Sequence, residues 1–138
     1  MLTINPYLGF TTNCREAMEF YKAALGAELT LQTVGESPMK DTMPAEMHDM
    51  IMHASLSKDG QTLLMASDMM NKDYEPIKGT HVTLSLNCTS EEEINTCFAK
   101  LSEGGTVTMP LATQFWGATF GMLMDKFGMP WMLNYDKK

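Results

Sequence analysis

The sequence has few of the residues that mark several common protein classes. It contains 3 cysteines in 138 residues, Cys14, Cys88 and Cys97, and no two of them have the C-x-x-C spacing of metal and redox motifs. An odd number of thiols, with no secretion signal in the sequence, is typical of reduced proteins. We therefore predict a cytoplasmic protein without disulfides.

Basic residues are also scarce. Ten Lys and Arg stand against 17 Asp and Glu, so the formal net charge is −7 at pH 7. Nucleic acids and anionic membranes both require a basic face, so the sequence predicts neither partner. The longest uncharged stretch, residues 104–124, contains Pro110, Gln114 and four glycines. This composition predicts two strands with a break, and not a membrane span.

Two segments have the pattern of amphipathic helices. Hydrophobic residues make up 44% of the chain, which is enough for a core without disulfides or a structural metal. Asn13 and Glu16 form a predicted capping box for a helix over residues 13–25, and Gly26 follows it. Ser90 and Glu93 form a second predicted capping box. We predict that Gly104 and Gly105 end that second helix.

The predicted elements repeat in the order strand, helix, strand, strand, strand. Ser90 follows Asn13 by 77 positions, and an internal repeat explains this spacing best. We predict an α+β fold with two tandem βαβββ modules in one domain: residues 1–68, a linker at 69–78, and residues 79–138. The predicted strands are Thr3–Phe10, Ala27–Glu36, Asp49–Ser57, Gln61–Ser67, Thr80–Cys88, Thr106–Gln114, Trp116–Met124 and Met129–Tyr135.

Two of these strands alternate between apolar and polar side chains. Ala54 and Leu56 share one face of the predicted strand Asp49–Ser57, and Leu84 and Leu86 share one face of the predicted strand Thr80–Cys88. The opposite faces are polar, and such a face lines a ligand pocket or meets water. We favour the pocket. Its predicted polar residues are His53, Ser55, Ser57, His81, Thr83 and Ser85.

Aromatic and methionine residues suggest further parts of a site. Phe115 and Trp116 lie between two predicted strands, where they would stack on a planar ligand or pack in the core. Met39, Met43 and Met47 recur in the loop at residues 37–48. These methionines would form an adaptable lid over a pocket or, as the lesser alternative, bind Cu(I).

Several motifs together resemble the PhnB-like branch of the vicinal oxygen chelate superfamily, which includes glyoxalases, bleomycin-resistance proteins and extradiol dioxygenases. The resemblance implies curved mixed sheets around a shared cleft, a small-molecule ligand and a homodimer. The motifs that carry it are residues 5–10, 13–17, 20–21, 25–28, 51–54, 67–68, 115–116 and 125–132.

The resemblance also implies where metal ligands would lie. In metal-dependent relatives, His and Glu ligands come from the first and last strand of each module. The matching positions here are about Pro6, Met65, His81 and Met132, and only His81 is a conventional ligand. We therefore expect no metal and assign no cofactor. A displaced site would need His53 and His81 with one further donor, namely Glu36, His48, Asp49 or Asp68.

Two function classes remain open from the sequence. The first is a protein that binds a small polar or aromatic molecule in the cleft, with His53, His81, Thr83, Ser85, Phe115 and Trp116 as candidate pocket residues. The second is a metal-dependent lyase, isomerase or dioxygenase with a non-standard ligand set. The missing ligands favour the binding protein, and whether the chain is an enzyme stays undecided.

Overall fold

The computed structural model describes residues 2–68 and 82–136. The chain divides into two compact units, Met1–Ile77 and Lys78–Lys138. Each unit contains one helix and one four-stranded mixed sheet. The predicted α+β fold with two βαβββ modules is therefore confirmed.

In the first module, the first strand along the chain lies at the edge of the sheet and runs parallel to the last strand. Its strand order is β1-β4-β3-β2, where β1 pairs parallel with β4 and the other pairs are antiparallel. Its elements are β1 (Tyr7–Phe10), α1 (Cys14–Leu25), β2 (Glu28–Thr33), β3 (Ile51–Lys58) and β4 (Gln61–Asp68).

The second module repeats this arrangement. Its strand order is β5-β8-β7-β6, with a parallel β5–β8 pair and antiparallel β6–β7 and β7–β8 pairs. Its elements are β5 (Leu84–Asn87), α2 (Glu91–Ser102), β6 (Thr106–Thr113), β7 (Ala118–Met124) and β8 (Pro130–Asp136).

Each helix packs on one face of its own sheet. Helix α1 lies against β2, β3 and β4, and α2 lies against β6, β7 and β8. Met18 and Tyr21 of α1 are fully buried, as is Leu56 of β3. In the second module a Cβ on Gly121 of β7 would meet the ring of Phe98 from α2. Within the described residues no helix is long and apolar enough to cross a membrane.

Several predicted strands are too long. Strand β1 begins at Tyr7 and not at Thr3, and β5 occupies Leu84–Asn87. Strand β2 ends at Thr33 because residues 34–36 form a 3-10 turn. The Thr33 hydroxyl accepts the backbone N–H of Glu36, while the Glu36 carboxylate accepts the backbone N–H of Thr33. These reciprocal hydrogen bonds replace strand pairing with a turn.

Candidate functional site

The first sheet carries polar side chains on the face opposite α1. Residues directly opposite each other on paired strands share a face, and the register places Tyr7 beside Met65, Met65 beside Ser55, and Ser55 beside Thr30. We call these four residues and His53 the polar face. On the helix side, Ala54 and Leu56 are fully buried, so the predicted alternation along β3 is confirmed.

His53 and Tyr7 form a hydrogen-bonded pair on the polar face. The Tyr7 hydroxyl lies 3.1 Å from Nδ1 of His53, and the two ring centroids are 5.8 Å apart at an interplanar angle of 40°. If the hydroxyl donates, the neutral imidazole carries its proton on Nε2, which then acts as a donor. Tyr7 was missed in the sequence because only the parallel pairing of β1 with β4 brings it near β3.

The second sheet has a less polar face opposite α2. The register places Ser85 beside Met132, Met132 beside Met122, and Met122 beside Met109. Two predicted pocket residues, Thr83 and Ser85, belong to this module. Ser85 is exposed and Thr83 is partly buried. His81 lies outside the described residues. The pairing of His53 with His81 that a displaced metal site would need therefore stays a hypothesis.

Phe115 and Trp116 form an exposed aromatic pair at the turn between β6 and β7. Phe115 is 98% exposed and Trp116 is 53% exposed, so the core-packing alternative is wrong. Their ring centroids are 4.9 Å apart in an edge-on arrangement. Trp116 also approaches Phe120 of β7, with centroids 6.2 Å apart. Gly117 has a φ of +89°, a conformation that glycine adopts without steric cost, and completes this turn.

Asp68 has a structural role at the start of α1. It is buried, and its two carboxylate oxygens accept the backbone N–H groups of Cys14, at 3.0 Å, and Ile51, at 2.8 Å. Asp68 thus caps α1 and joins it to β3. The predicted capping box at Asn13 is wrong, because the Asn13 side chain makes no capping hydrogen bond. Burial, followed by the charge of Asp68, raises the pKa of the Cys14 thiol to about 12.

Asp125 has the same kind of role in the second module. Its carboxylate accepts the backbone N–H groups of Phe127 and Met129 and the indole N–H of Trp131, the last at 2.8 Å. Trp131 is buried, and Gly128 has a φ of +85°. Asp125 and Gly128 therefore form a turn, and Trp131 belongs to the core of the second module.

The described residues do not fit the ligand set of the metal-dependent relatives. Residues 2–68 and 82–136 contain no group of three His, Cys, Asp or Glu side chains that would hold a metal ion. Met65 and Met132 offer thioethers where His or Glu would be needed. Glu36 is held by Thr33. The His48 Nε2 atom lies 2.9 Å from the Lys40 carbonyl oxygen and 3.1 Å from that of Met43.

A separate groove of about 470 Å³ lies beside the start of α1. Its lining includes the charged side chains of Arg15, Glu16, Glu46 and Asp49, together with Met50. The one buried charged group that reaches it, Asp68, already accepts two backbone hydrogen bonds. The four charged side chains of the groove are exposed, whereas the polar face holds a hydrogen-bonded phenol and imidazole pair. We therefore place the candidate site on the polar face.

Comparison with known proteins identifies the family. Residues 3–133 match the model of the Glyoxalase/Bleomycin resistance protein/Dioxygenase superfamily. The chain is 34% identical to Protein YjdN of Escherichia coli, with 99% of this chain and 97% of that protein covered. The crystal structure of PA1353 from Pseudomonas aeruginosa is similar, at 42% identity, a TM-score of 0.85 and full coverage of both chains.

A third relative, also a solved structure, is named after the PhnB-like branch that the sequence resembles. The PhnB protein from Bacillus cereus is 28% identical to this chain, with a TM-score of 0.73, and 97% of this chain and 99% of that one are covered. The PhnB-like resemblance seen in the sequence is thus confirmed. The chain belongs to the glyoxalase/bleomycin resistance protein/dioxygenase superfamily.

Proposed function

We propose that the protein binds a small molecule on the faces of its sheets that lie opposite the helices. The observation that carries this proposal is the Tyr7–His53 hydrogen bond on the polar face. A phenol and an imidazole that hold each other in place form a preorganised donor and acceptor pair. Such a pair needs no reordering when a polar ligand group arrives.

The neighbours of this pair support binding better than simple hydration. Met65 lies directly beside Tyr7 and Ser55 in the register, so an apolar side chain stands among polar ones. Ligand sites combine apolar surface with a few placed polar groups. Tyr7 is 51% exposed, which leaves its ring accessible for contact with a ligand. The net charge of −7 would favour the approach of a cationic molecule.

The test is ligand-detected and protein-detected NMR with a library of small polar and aromatic fragments. We expect polar hits to shift the His53 ring signals and the Met65 methyl signal, and to leave the buried Met18 methyl unchanged. Tyr7→Phe removes the hydroxyl that orients His53 and should weaken those hits. Tyr135→Phe, in β8 of the other module, is the matched control. Polar hits that bind both variants and the native protein equally well would contradict the proposal.

The alternative is a metal-dependent lyase, isomerase or dioxygenase with a non-standard ligand set. One observation favours it: in the tautomer in which Nδ1–H of His53 donates to the Tyr7 oxygen, the lone pair of Nε2 is available to a metal ion. Second-shell acceptors hold metal-binding histidines in this way. Metal content by mass spectrometry after soaking in Fe, Mn, Ni, Zn and Cu tests it. Stoichiometric metal that is lost in His53→Ala or His81→Ala would replace our proposal.

We also propose, from the resemblance alone, that the protein forms a homodimer. Sedimentation equilibrium tests this directly, because it gives the mass of the assembly in solution. A single species at 15.4 kDa across concentrations would contradict the dimer and leave the ligand proposal unchanged.

A further inference from the structure

The face of the second sheet opposite α2 is unusually rich in methionine. Met109, Met122 and Met132 lie side by side on β6, β7 and β8. Met124 lies two residues from Met122 on β7 and therefore points to the same face, as does Phe120. We call these five residues the methionine face. Met109 is 42% exposed, and the other four are partly exposed.

The chemistry of this face differs from that of the polar face. Asp136, at the end of β8, is the single charged residue in β5, β6, β7 and β8. Thioethers are polarisable and adaptable, and they make favourable contacts with aromatic rings. Trp116 extends the apolar surface beyond Phe120, with the two rings edge-on. Aromatic rings in this arrangement leave further edges and faces for a third ring.

The size of the face indicates what kind of group it would bind. Adjacent strands are about 4.8 Å apart, so the methionines of β6, β7 and β8 span about 10 Å. Phe120 and Met122 are two residues apart along the strand, which adds about 7 Å. A patch of this size matches two or three fused rings. It is far smaller than the roughly 800 Å² per partner that a standard protein interface buries.

We propose that the methionine face binds small molecules through a planar, uncharged aromatic group. This inference rests on the proposed function, since it names the ligand class that the second sheet would take by itself.

The test uses protein labelled with methyl-13C methionine and two probes that share a carbon skeleton. The probes are 2-naphthol, which is planar, and decahydro-2-naphthol, which is saturated and puckered. We expect 2-naphthol to shift the Met122 and Met132 methyl signals saturably. The saturated probe should bind about fivefold more weakly, the equivalent of one or two lost sulfur–aromatic contacts.

Two variants locate the binding. Met122→Gln and Met132→Gln should each weaken 2-naphthol binding by about fivefold, whereas Met65→Gln on the first sheet should leave it unchanged. Unchanged amide signals of the buried Ile94 and Leu101 show that the two second-sheet variants keep the core of their module, and an unchanged Met18 methyl signal shows the same for Met65→Gln.

The inference fails if both probes bind equally, or if 2-naphthol shifts only Met65 and His53. In the second case the proposed function stands. If no probe or fragment shifts the signals of either face, both proposals fail.

Discussion

Replacement of Asp68 by alanine should be among the most damaging single changes in the first module. Asp68 accepts the backbone N–H groups of Cys14 and Ile51, and both of those residues are almost completely buried. A buried donor left without an acceptor costs about 1–3 kcal/mol. Two such unpaired donors would cost about 2–6 kcal/mol, and water that enters the site and accepts from them reduces this cost, so we expect the free energy of unfolding to fall by about 2–4 kcal/mol.

Asn13→Ala is the matched control. A residue at this position with a capping side chain would contribute about 1 kcal/mol. The Asn13 side chain makes no capping hydrogen bond, so we expect its replacement to change the free energy of unfolding by less than about 0.5 kcal/mol.

Urea denaturation followed by circular dichroism measures both changes, and amide hydrogen exchange at Cys14 and Ile51 localises them. Tryptophan fluorescence does not report on this module, because Trp116 and Trp131 are both in the second one. A loss below about 1 kcal/mol for Asp68→Ala, or equal losses for the two variants, would refute the reasoning.

Two further predictions concern buried groups. Trp131→Phe removes the indole N–H that Asp125 accepts at 2.8 Å. This change should lower the free energy of unfolding, measured by urea titration, by about 1–3 kcal/mol. The control Trp116→Phe, at an exposed site, should change that free energy by less than about 0.5 kcal/mol. The Cys14 thiol, whose pKa burial raises to about 12, keeps its proton at pH 8 and should not react with a disulfide reagent until urea unfolds the protein. Rapid labelling of the native protein that disappears in Cys14→Ser would contradict this account.

Local signals in the sequence were enough to predict the repeated module. Apolar periodicity located both helices, and Ser90 caps α2 as predicted, because its hydroxyl accepts the backbone N–H of Glu93. The reciprocal half of the predicted capping box is wrong, since the Glu93 carboxylate accepts the backbone N–H of Thr89 and not that of Ser90. The start of α1 could not be predicted in the same way. Its cap is Asp68, 54 positions further along the chain from Cys14, and only the folded sheet brings the two together.

The candidate site shows the same division between local and distant information. Alternation along β3 indicated His53, because side chains on one strand follow a period of two. Tyr7 and the methionine face were missed for a different reason. Tyr7 reaches His53 through the pairing of β1 with β4, and the row of methionines depends on the registers of three strands. Strand register is a property of the assembled sheet.

The measurement that tests the central claim most directly is the methyl spectrum of methionine-labelled protein during the fragment screen. Each region contains its own methionine: Met65 lies on the polar face, Met122 lies on the methionine face, Met50 lines the groove beside α1, and Met18 is buried in the core. Our account predicts that polar hits shift Met65, that fused-ring hits shift Met122, and that both leave Met50 and Met18 unchanged. Hits that shift Met50 alone would place the binding site in the groove and contradict the account.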